Sequence, residues 1–303
     1  MPSVATIGFF DGVHRGHQYL MSQLVEAAAR QSLQSTVITF DRHPRQVLGS
    51  DYQPQLLTTI DEKLERLALT GVDNCVVLSF TPALASLSAH DFMAQVLHDQ
   101  LHARQLYIGY DNRFGHNRTE GFADYVRYGA ALGMDVIQST AMQIEGINVS
   151  SSVVRSFISE GEVEMATRCL GYHYTVSGRV VDGFHEGRQL GFPTANLQTD
   201  DPCKLIPAPG VYAVKVSIGQ SAELLPAMMN IGRRPTFGNN FQLTLEVHII
   251  NFSGNLYGQR LSVQFVQRLR NEQKFQSRQA LRRQLLSDEK TVSEYLEVKH
   301  QEK

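Results

Sequence analysis

Tryptophan is absent, and cysteine nearly so: three thiols, Cys75, Cys169 and Cys203, lie scattered with no Cys-x-x-Cys pair. So sparse and odd a set excludes a disulfide framework and a cysteine zinc site, and it predicts a reducing compartment. No apolar run approaches membrane-spanning length. The opening MPSVATIGFF lacks the basic start and apolar core of a secretory signal. The expected location is the cytoplasm, with no membrane partner. Positive charge is not in surplus, with Lys+Arg 28 against Asp+Glu 30 and a net charge of −2. A sequence-independent nucleic-acid binder is thereby excluded. There is no internal repeat, no low-complexity tract and no Walker loop, so any ATP chemistry must rest on a different phosphate site. What remains is 303 residues with 42% hydrophobic and 19% charged side chains, the make-up of a well-packed protein of two domains.

The stretch Thr6–His17, TIGFFDGVHRGH, reads as an apolar strand, a glycine-bearing turn and the start of a helix. His14, Gly16 and His17 form His-x-Gly-His within it. Glycine lets backbone approach a ligand, a helix N-terminus offers unpaired N–H groups, and two imidazoles can donate to phosphate oxygens as charge builds. A His pair at a turn is also a common structural feature. After it, Leu20, Met21, Leu24, Val25 and Ala28 mark one helical stripe over Gly16–Arg30. A strand is predicted at Ser35–Phe40, a helix at Asp61–Thr70 stopped by Gly71, a strand at Asn74–Phe80 and a helix near Ala89–Leu101. Further strands are predicted at Leu106–Gly109 and Asp135–Gln138. This alternation predicts an α/β domain with a parallel sheet covered on both faces, whose ligands bind beyond the carboxyl ends of the strands.

Three more polar pieces follow strands: FDRHP (Phe40–Pro44), GYDNRFG (Gly109–Gly115) with Asp111, Asn112 and Arg113, and NVSSSVVR (Asn148–Arg155). Ser150, Ser151 and Ser152 read equally as a helix cap, and Arg155 as a surface charge. From Tyr172 the rhythm changes. Tyr174–Val181, Val211–Ile218, Leu224–Ile231, Leu243–Ile250 and Leu261–Val266 alternate at period two between turn residues, which predicts a closed or nearly closed antiparallel barrel. Two helices, near Ser277–Leu286 and Asp288–Lys299, close the chain. The boundary is expected at Gly171, giving domains 1–171 and 172–303.

In the second half GRQLGFPTANL (Gly187–Leu197) brings backbone close to a ligand at Gly187 and Gly191. It sets Thr194 and Asn196 on one side of an extended segment, where a hydroxyl and an amide oxygen suit Mg²⁺. A turn leading into a strand is the plainer alternative. NIGRRPTF (Asn230–Phe237) and RNEQKF (Arg270–Phe275) carry further candidate groups. Glu246 is a lone acid in the apolar LTLEVHII, costly if buried without a task, ordinary if it faces outward.

The first set of motifs, GFFDGVHRGH with FDRHP, GYDNRFG and Val149–Arg155, resembles the adenylyltransferase module of bacterial bifunctional riboflavin kinase/FAD synthetases, within the HxGH nucleotidylyltransferase superfamily. GRQLGFPTANL, PGVYAV, NIGRRPTF and Glu246 resemble the riboflavin kinase domain in the same order. The resemblance implies a Rossmann-like N-terminal domain and a six-stranded Greek-key β-barrel with C-terminal helices. It implies riboflavin, FMN and ATP as substrates, FAD and diphosphate as products, and Mg²⁺ as cofactor. His14 and His17 would act on the ATP phosphates, in a site with Gly8, Phe9, Phe10, Asp11, Gly16, Ser150–Ser152 and Arg155. Asp111, Asn112 and Arg113 would face the flavin or metal. In the barrel Gly187, Arg188 and Gly191 would bind ATP, Thr194 and Asn196 the metal, and Glu246 would take the hydroxyl proton. Phe9, Arg42 and Asn112 stand where the family often has Asn, Pro and an aromatic, and Ser152 replaces a frequent Thr. A kinase with an inactive N-terminal module and a non-catalytic flavin sensor are the alternatives. Oligomeric state stays open.

Overall fold

A computed structural model describes residues 1–49, 55–110, 112–183, 187, 190–235 and 241–301. The chain forms two compact units, Met1–Ser151 and Ser152–Lys303.

The first unit is a five-stranded parallel sheet in the order β3-β2-β1-β4-β5. Its strands are β1 (Ser3–Ile7), β2 (Gln34–Phe40), β3 (Asn74–Leu78), β4 (Ala103–Ile108) and β5 (Asp135–Gln138). Every residue of β1 is buried, as is β2 after Gln34, because helices cover both faces there. The edge strands β3 and β5 bury fewer residues, in agreement with their mixed composition. α1 (Arg15–Gln31) packs its Leu20, Met21 and Leu24 with Val4 and Val37 on one face. The other face is filled by Ala5, Ile7, Ile38, Leu106 and residues of Phe92–Gln100. The helix expected near Ala89–Leu101 is there in two parts: after a short start at Ala89–Asp91 it widens into a π-helix over Phe92–Gln100. α2 (Pro44–Val47) and α3 (Ile60–Ala68) connect β2 to β3. α4 (Pro82–Ala85) and α5 (Ala89–Asp91) lead to β4, and α6 (Phe122–Ala131) leads to β5. The strand order reverses at β1, with β2 on one side and β4 on the other. The crevice beyond the carboxyl ends of β1 and β4 is therefore where a ligand is expected, and the His-x-Gly-His turn leaves β1 there. A two-stranded ribbon, β6 (Gln143–Ile144) and β7 (Ile147–Asn148), closes the unit.

The second unit opens with α7 (Ser151–Glu160) and α8 (Val163–Leu170), the latter ended by Gly171 in left-handed geometry. Six strands follow: β8 (Thr175–Val181), β9 (Ala195–Thr199), β10 (Gly210–Ile218), β11 (Leu225–Pro235), β12 (Phe241–Ile249) and β13 (Arg260–Arg270). They close into an antiparallel barrel in the order β10-β11-β12-β9-β8-β13. β10, β11 and β12 follow one another as neighbours, and β9, which precedes them, lies beside β12; this is a Greek key. The sixth strand is the end of GRQLGFPTANL itself. α9 (Arg278–Gln301) is one helix where two were expected. Nothing at Ser287 breaks it, and Asp288 lies inside it, where its carboxylate takes Arg270 and Gln284. Val292 and Leu296 pack against Ala213, Met228 and Val266 on the outer barrel wall.

Candidate functional site

The turn after β1 is tightly wound. Phe10, Gly12 and Val13 all have positive φ, at 53°, 78° and 34°. For the two non-glycine residues this geometry is unfavourable by about 1–3 kcal/mol each, and it persists only where neighbours fix it. Several do. Gly12 N–H donates to Thr58 Oγ1 at 3.0 Å. The Asp11 carboxylate accepts Leu57 N–H and Thr58 N–H, each at 3.0 Å, and Ser151 Oγ donates to the Asp11 carbonyl at 2.9 Å. Asp11 thus spends its carboxylate on the protein's own backbone.

His14 caps α1: its Nδ1 accepts the His17 N–H at 3.3 Å, which leaves the proton of the neutral ring on Nε2. The two imidazoles stack at 3.6 Å between centroids, and the Phe10 ring meets His17 edge-on at 5.1 Å. Burial, and then the charge of His14, hold the His17 pKa well below the ordinary histidine value. His17 Nδ1 is buried with no hydrogen-bond partner in the protein. A Cβ on Gly16 would come 3.1 Å from His14 Nδ1 and 3.4 Å from the Val149 carbonyl, so this helix start tolerates little more than glycine. Two stacked imidazoles at a helix N-terminus, one with a buried ring nitrogen that has no protein partner, suit an anion whose charge grows during reaction.

The β4 loop reaches the same strand end, where Asn112 Nδ2 donates to the Ile7 carbonyl at 2.6 Å. Tyr125 anchors that loop by bonding both backbone groups of Phe114. Arg113 is exposed, and Asp111 lies outside the described residues. The Phe9 ring meets His43 edge-on at 4.8 Å. Gly8 is half-buried beside the Phe10 ring. Ser150 and Ser151 end the first unit; Ser152 and Arg155 begin the second, on the helix that Ser151 opens. Sequence reasoning missed Lys63, buried with its Nζ donating to the Phe40 and Phe9 carbonyls at 2.8 and 3.2 Å.

In the barrel, register makes the site. β12 pairs Glu246 with Asn196 of β9 on one side and with Asn230 of β11 on the other. Directly opposed residues share a face, so the three side chains stand in a row. Thr194, Asn230, Glu246 and His248 line one cleft of about 490 Å³ together with Arg270 and Phe275. A second cleft of about 480 Å³ lies on the other side of Thr194, walled by Phe252, Asn255 and Tyr257. Backbone crowds the Thr–Asn pair. A Cβ on Gly183 would fall 1.8 Å from Asn196 Nδ2, and one on Gly187 would fall 2.3 Å from the Phe192 carbonyl and 3.3 Å from Thr194 Oγ1. Gly191 has φ +86°, and Arg188 lies outside the described residues, as do residues 236 and 237 of NIGRRPTF. His248, unremarked in the sequence, donates from Nδ1 to the Pro193 carbonyl at 2.8 Å and so steadies the segment bearing Thr194. Among the described residues no group of three His, Cys, Asp or Glu side chains is placed to hold a metal. A cation at Thr194 and Asn196 would rest on neutral oxygens completed by phosphate and water, a donor set that fits Mg²⁺.

Comparison with known proteins finds a family match for each half of the chain. A family model described as FAD synthetase matches residues 1–153, and one described as riboflavin kinase matches residues 170–296. Bifunctional riboflavin kinase/FMN adenylyltransferases from Escherichia coli K12 and Pseudomonas fluorescens are 37% and 39% identical, over 96% and 94% of this chain and 92% and 90% of theirs. A solved structure described as a macrolide-efflux protein from Streptococcus pneumoniae superposes with a TM-score of 0.87 at 31% identity, covering 96% of this chain and 94% of that one. Among the described residues of this chain no helix is long and apolar enough to cross a membrane. With both models matched in order and relatives aligned over nearly their full length, the chain belongs to the bifunctional riboflavin kinase/FMN adenylyltransferases, which phosphorylate riboflavin to FMN and adenylylate FMN to FAD at the expense of ATP.

Proposed function

We propose that Glu246, with Thr194 and Asn196, carries out the kinase step, and that His14 and His17 carry out adenylyl transfer. The kinase assignment rests on one observation above the others, the register that sets Glu246 between Asn196 and Asn230. A primary alcohol is a weak nucleophile, and a carboxylate in this row can take its proton as the oxygen attacks the γ-phosphorus of ATP. Mg²⁺ held by Thr194 Oγ1 and the Asn196 side-chain oxygen would neutralise charge on the phosphoryl group. The cleft with Arg270 and Phe275 is our candidate for the flavin, and the cleft with Phe252 and Tyr257 for the nucleotide. Gly187 and Gly191 let backbone close over the phosphates, and Arg188 is the neighbouring candidate cation.

In the N-terminal unit a phosphate oxygen of FMN attacks the α-phosphorus of the second ATP, and the bond to the β-phosphate oxygen breaks to release diphosphate. No covalent intermediate is required, so alignment and charge stabilisation carry the rate. The unpartnered Nδ1 of His17 supports a direct role for that ring. We assign Gly16 and the N-terminal turn of α1 to the same phosphates, and Ser150–Ser152 with Arg155 to the β- and γ-phosphates. Asp11, with its carboxylate engaged, is assigned to shaping the turn with Phe10 rather than to contact. Asn112 and Arg113 are the flavin-side candidates, together with Asp111. The test is a chromatographic time course of the full chain with riboflavin, ATP and Mg²⁺, run on wild type, E246Q and H17A. E246Q should form neither FMN nor FAD from riboflavin yet still make FAD from added FMN, and H17A should accumulate FMN; normal output from either variant removes its assignment.

A further inference from the structure

Lys63 is the charged side chain least explained by stability. It is 2% exposed, and burial of an ammonium is unfavourable unless it is well satisfied. It sits in the first turn of α3, after the Thr59–Glu62 capping box, where the helix dipole disfavours a positive charge. Its Nζ bonds two backbone carbonyls, Phe40 at the end of β2 and Phe9 just past the end of β1, and lies 4.1 Å from the centre of the Phe9 ring. Thr39 Oγ1 donates to the same Phe9 carbonyl at 3.1 Å. The next residues are the turn with positive φ at Phe10, Gly12 and Val13, which then delivers His14 and His17. The other side of that turn is held by Leu57 and Thr58, just ahead of the same helix.

We propose that Lys63, aided by Thr39, is a positioning residue for adenylyl transfer: it clamps the Phe9 carbonyl to the end of β2 and so fixes the turn that presents the two histidines. The charge strengthens both bonds, since hydrogen bonds from an ionised donor are roughly twice as strong as neutral ones. Asp11, Asp41 and Cys75 are the groups that sense its charge, and burial brings its pKa down to about 8. Lys63 does not touch substrate in this account; its effect reaches ATP through Phe9 and the turn. The inference rests on the assignment of His14 and His17 to ATP.

The experiment uses the full chain with FMN, ATP and Mg²⁺, and counts competent sites by titration with a non-hydrolysable ATP analogue. K63M should lower kcat for FAD formation per competent site by about 10- to 100-fold, the scale of a lost charge-assisted hydrogen bond, while riboflavin phosphorylation by the same molecules stays at the wild-type rate. T39V should act in the same direction by about threefold, because it removes one neutral donor. A K63M protein with fewer sites but wild-type kcat per site would make Lys63 purely structural and overturn the inference. If K63M leaves too few sites to assay, K63Q, which keeps a neutral donor for one carbonyl, and T39V give the same readout. Wild-type kcat per site in both overturns it as well. H17A run beside them separates the two claims: if H17A makes FAD normally, the histidine assignment itself fails.

Discussion

Exchange of Glu246 for Gln is the sharpest perturbation of the barrel site, because it changes one property. Glutamine keeps the volume and a polar end between Asn196 and Asn230, and Glu246 is only half-buried in the middle of β12. Its neighbours Leu245 and Val247 supply the buried packing on the opposite face and are untouched. The barrel and its clefts should therefore persist, and only proton acceptance is lost. A positioned general base contributes about 10²–10⁴-fold, which corresponds to roughly 2.7–5.4 kcal/mol of transition-state free energy. The drop should appear in kcat for FMN formation, with little change in the riboflavin concentration for half-saturation, because the cleft residues proposed to hold the flavin, Arg270 and Phe275, are unchanged. The assay is FMN appearance by chromatography under saturating ATP, with FAD formation from added FMN as the internal control. FAD output should match wild type, since His14 and His17 belong to the other compact unit. A kinase kcat within fivefold of wild type would refute the base assignment, and equal loss of both activities would refute the claim that the substitution is local.

Other outcomes follow from the same geometry. H17A should reduce FAD formation by about 10²–10³-fold, the measured scale for loss of one preorganised donor, while FMN accumulates. D288A should strip Arg270 of a bidentate partner at 2.8–3.3 Å whose carboxylate is 5% exposed. Breaking a buried pair this way is worth about 3–5 kcal/mol, or a fall of roughly 6–20 °C in the melting of the kinase unit at 2–4 °C per kcal/mol, readable by calorimetry. Lys63 gives a pH prediction of definite sign. Its folded pKa of about 8 lies below the ordinary 10.5, so the unfolded chain binds more protons between those values and the folded state gains on wild-type stability as pH rises. The penalty is fully present below pH 8 and gone above 10.5. The stability of K63M relative to wild type should accordingly fall by about 3 kcal/mol across that window, at 1.36 kcal/mol per pKa unit. Denaturant midpoints that shift in parallel with pH would contradict this.

Much of the scaffold was legible because its signals are local. An apolar run, a glycine turn and the stripe of α1 mark the motif, and its position at a strand end in an alternating chain marks the crevice. Period-two runs between turn residues mark the barrel. What stayed hidden depends on partners far along the chain. The opposition of Glu246 to Asn196 and Asn230 is a matter of strand register, which neither strand states alone. Asp11 reads as a phosphate-site acid until Leu57 and Thr58 claim its oxygens. In DEKLERLALT nothing in the sequence singles out Lys63, yet Lys63 and Leu67 are the residues of α3 that are buried. Two carbonyls at strand ends override the hydropathy pattern there.

The two proposed sites would handle phosphate by different means, and the difference follows from their folds. A parallel sheet ends in a crevice toward which a helix N-terminus points, so on the proposed reading the first unit works with two imidazoles and a turn held rigid from below. The barrel cleft too is bordered by a helix start, Ser277 and Arg278 at the beginning of α9, but the groups beside it differ. The second unit instead brings backbone against Thr194 and Asn196 at Gly183 and Gly187, where a Cβ would collide, and supplies neutral oxygens suited to a cation. The carboxylate proposed as base, Glu246, comes from the adjacent strand, which among the described residues meets β9 in two residue pairs. That short ladder is the weakest link between the proposed metal ligands and the proposed base. A substitution that frees Val247 from Ala195 should separate the two functions of the site, loosening Glu246 from Asn196 while leaving its pairing with Asn230 across the longer β11–β12 ladder intact.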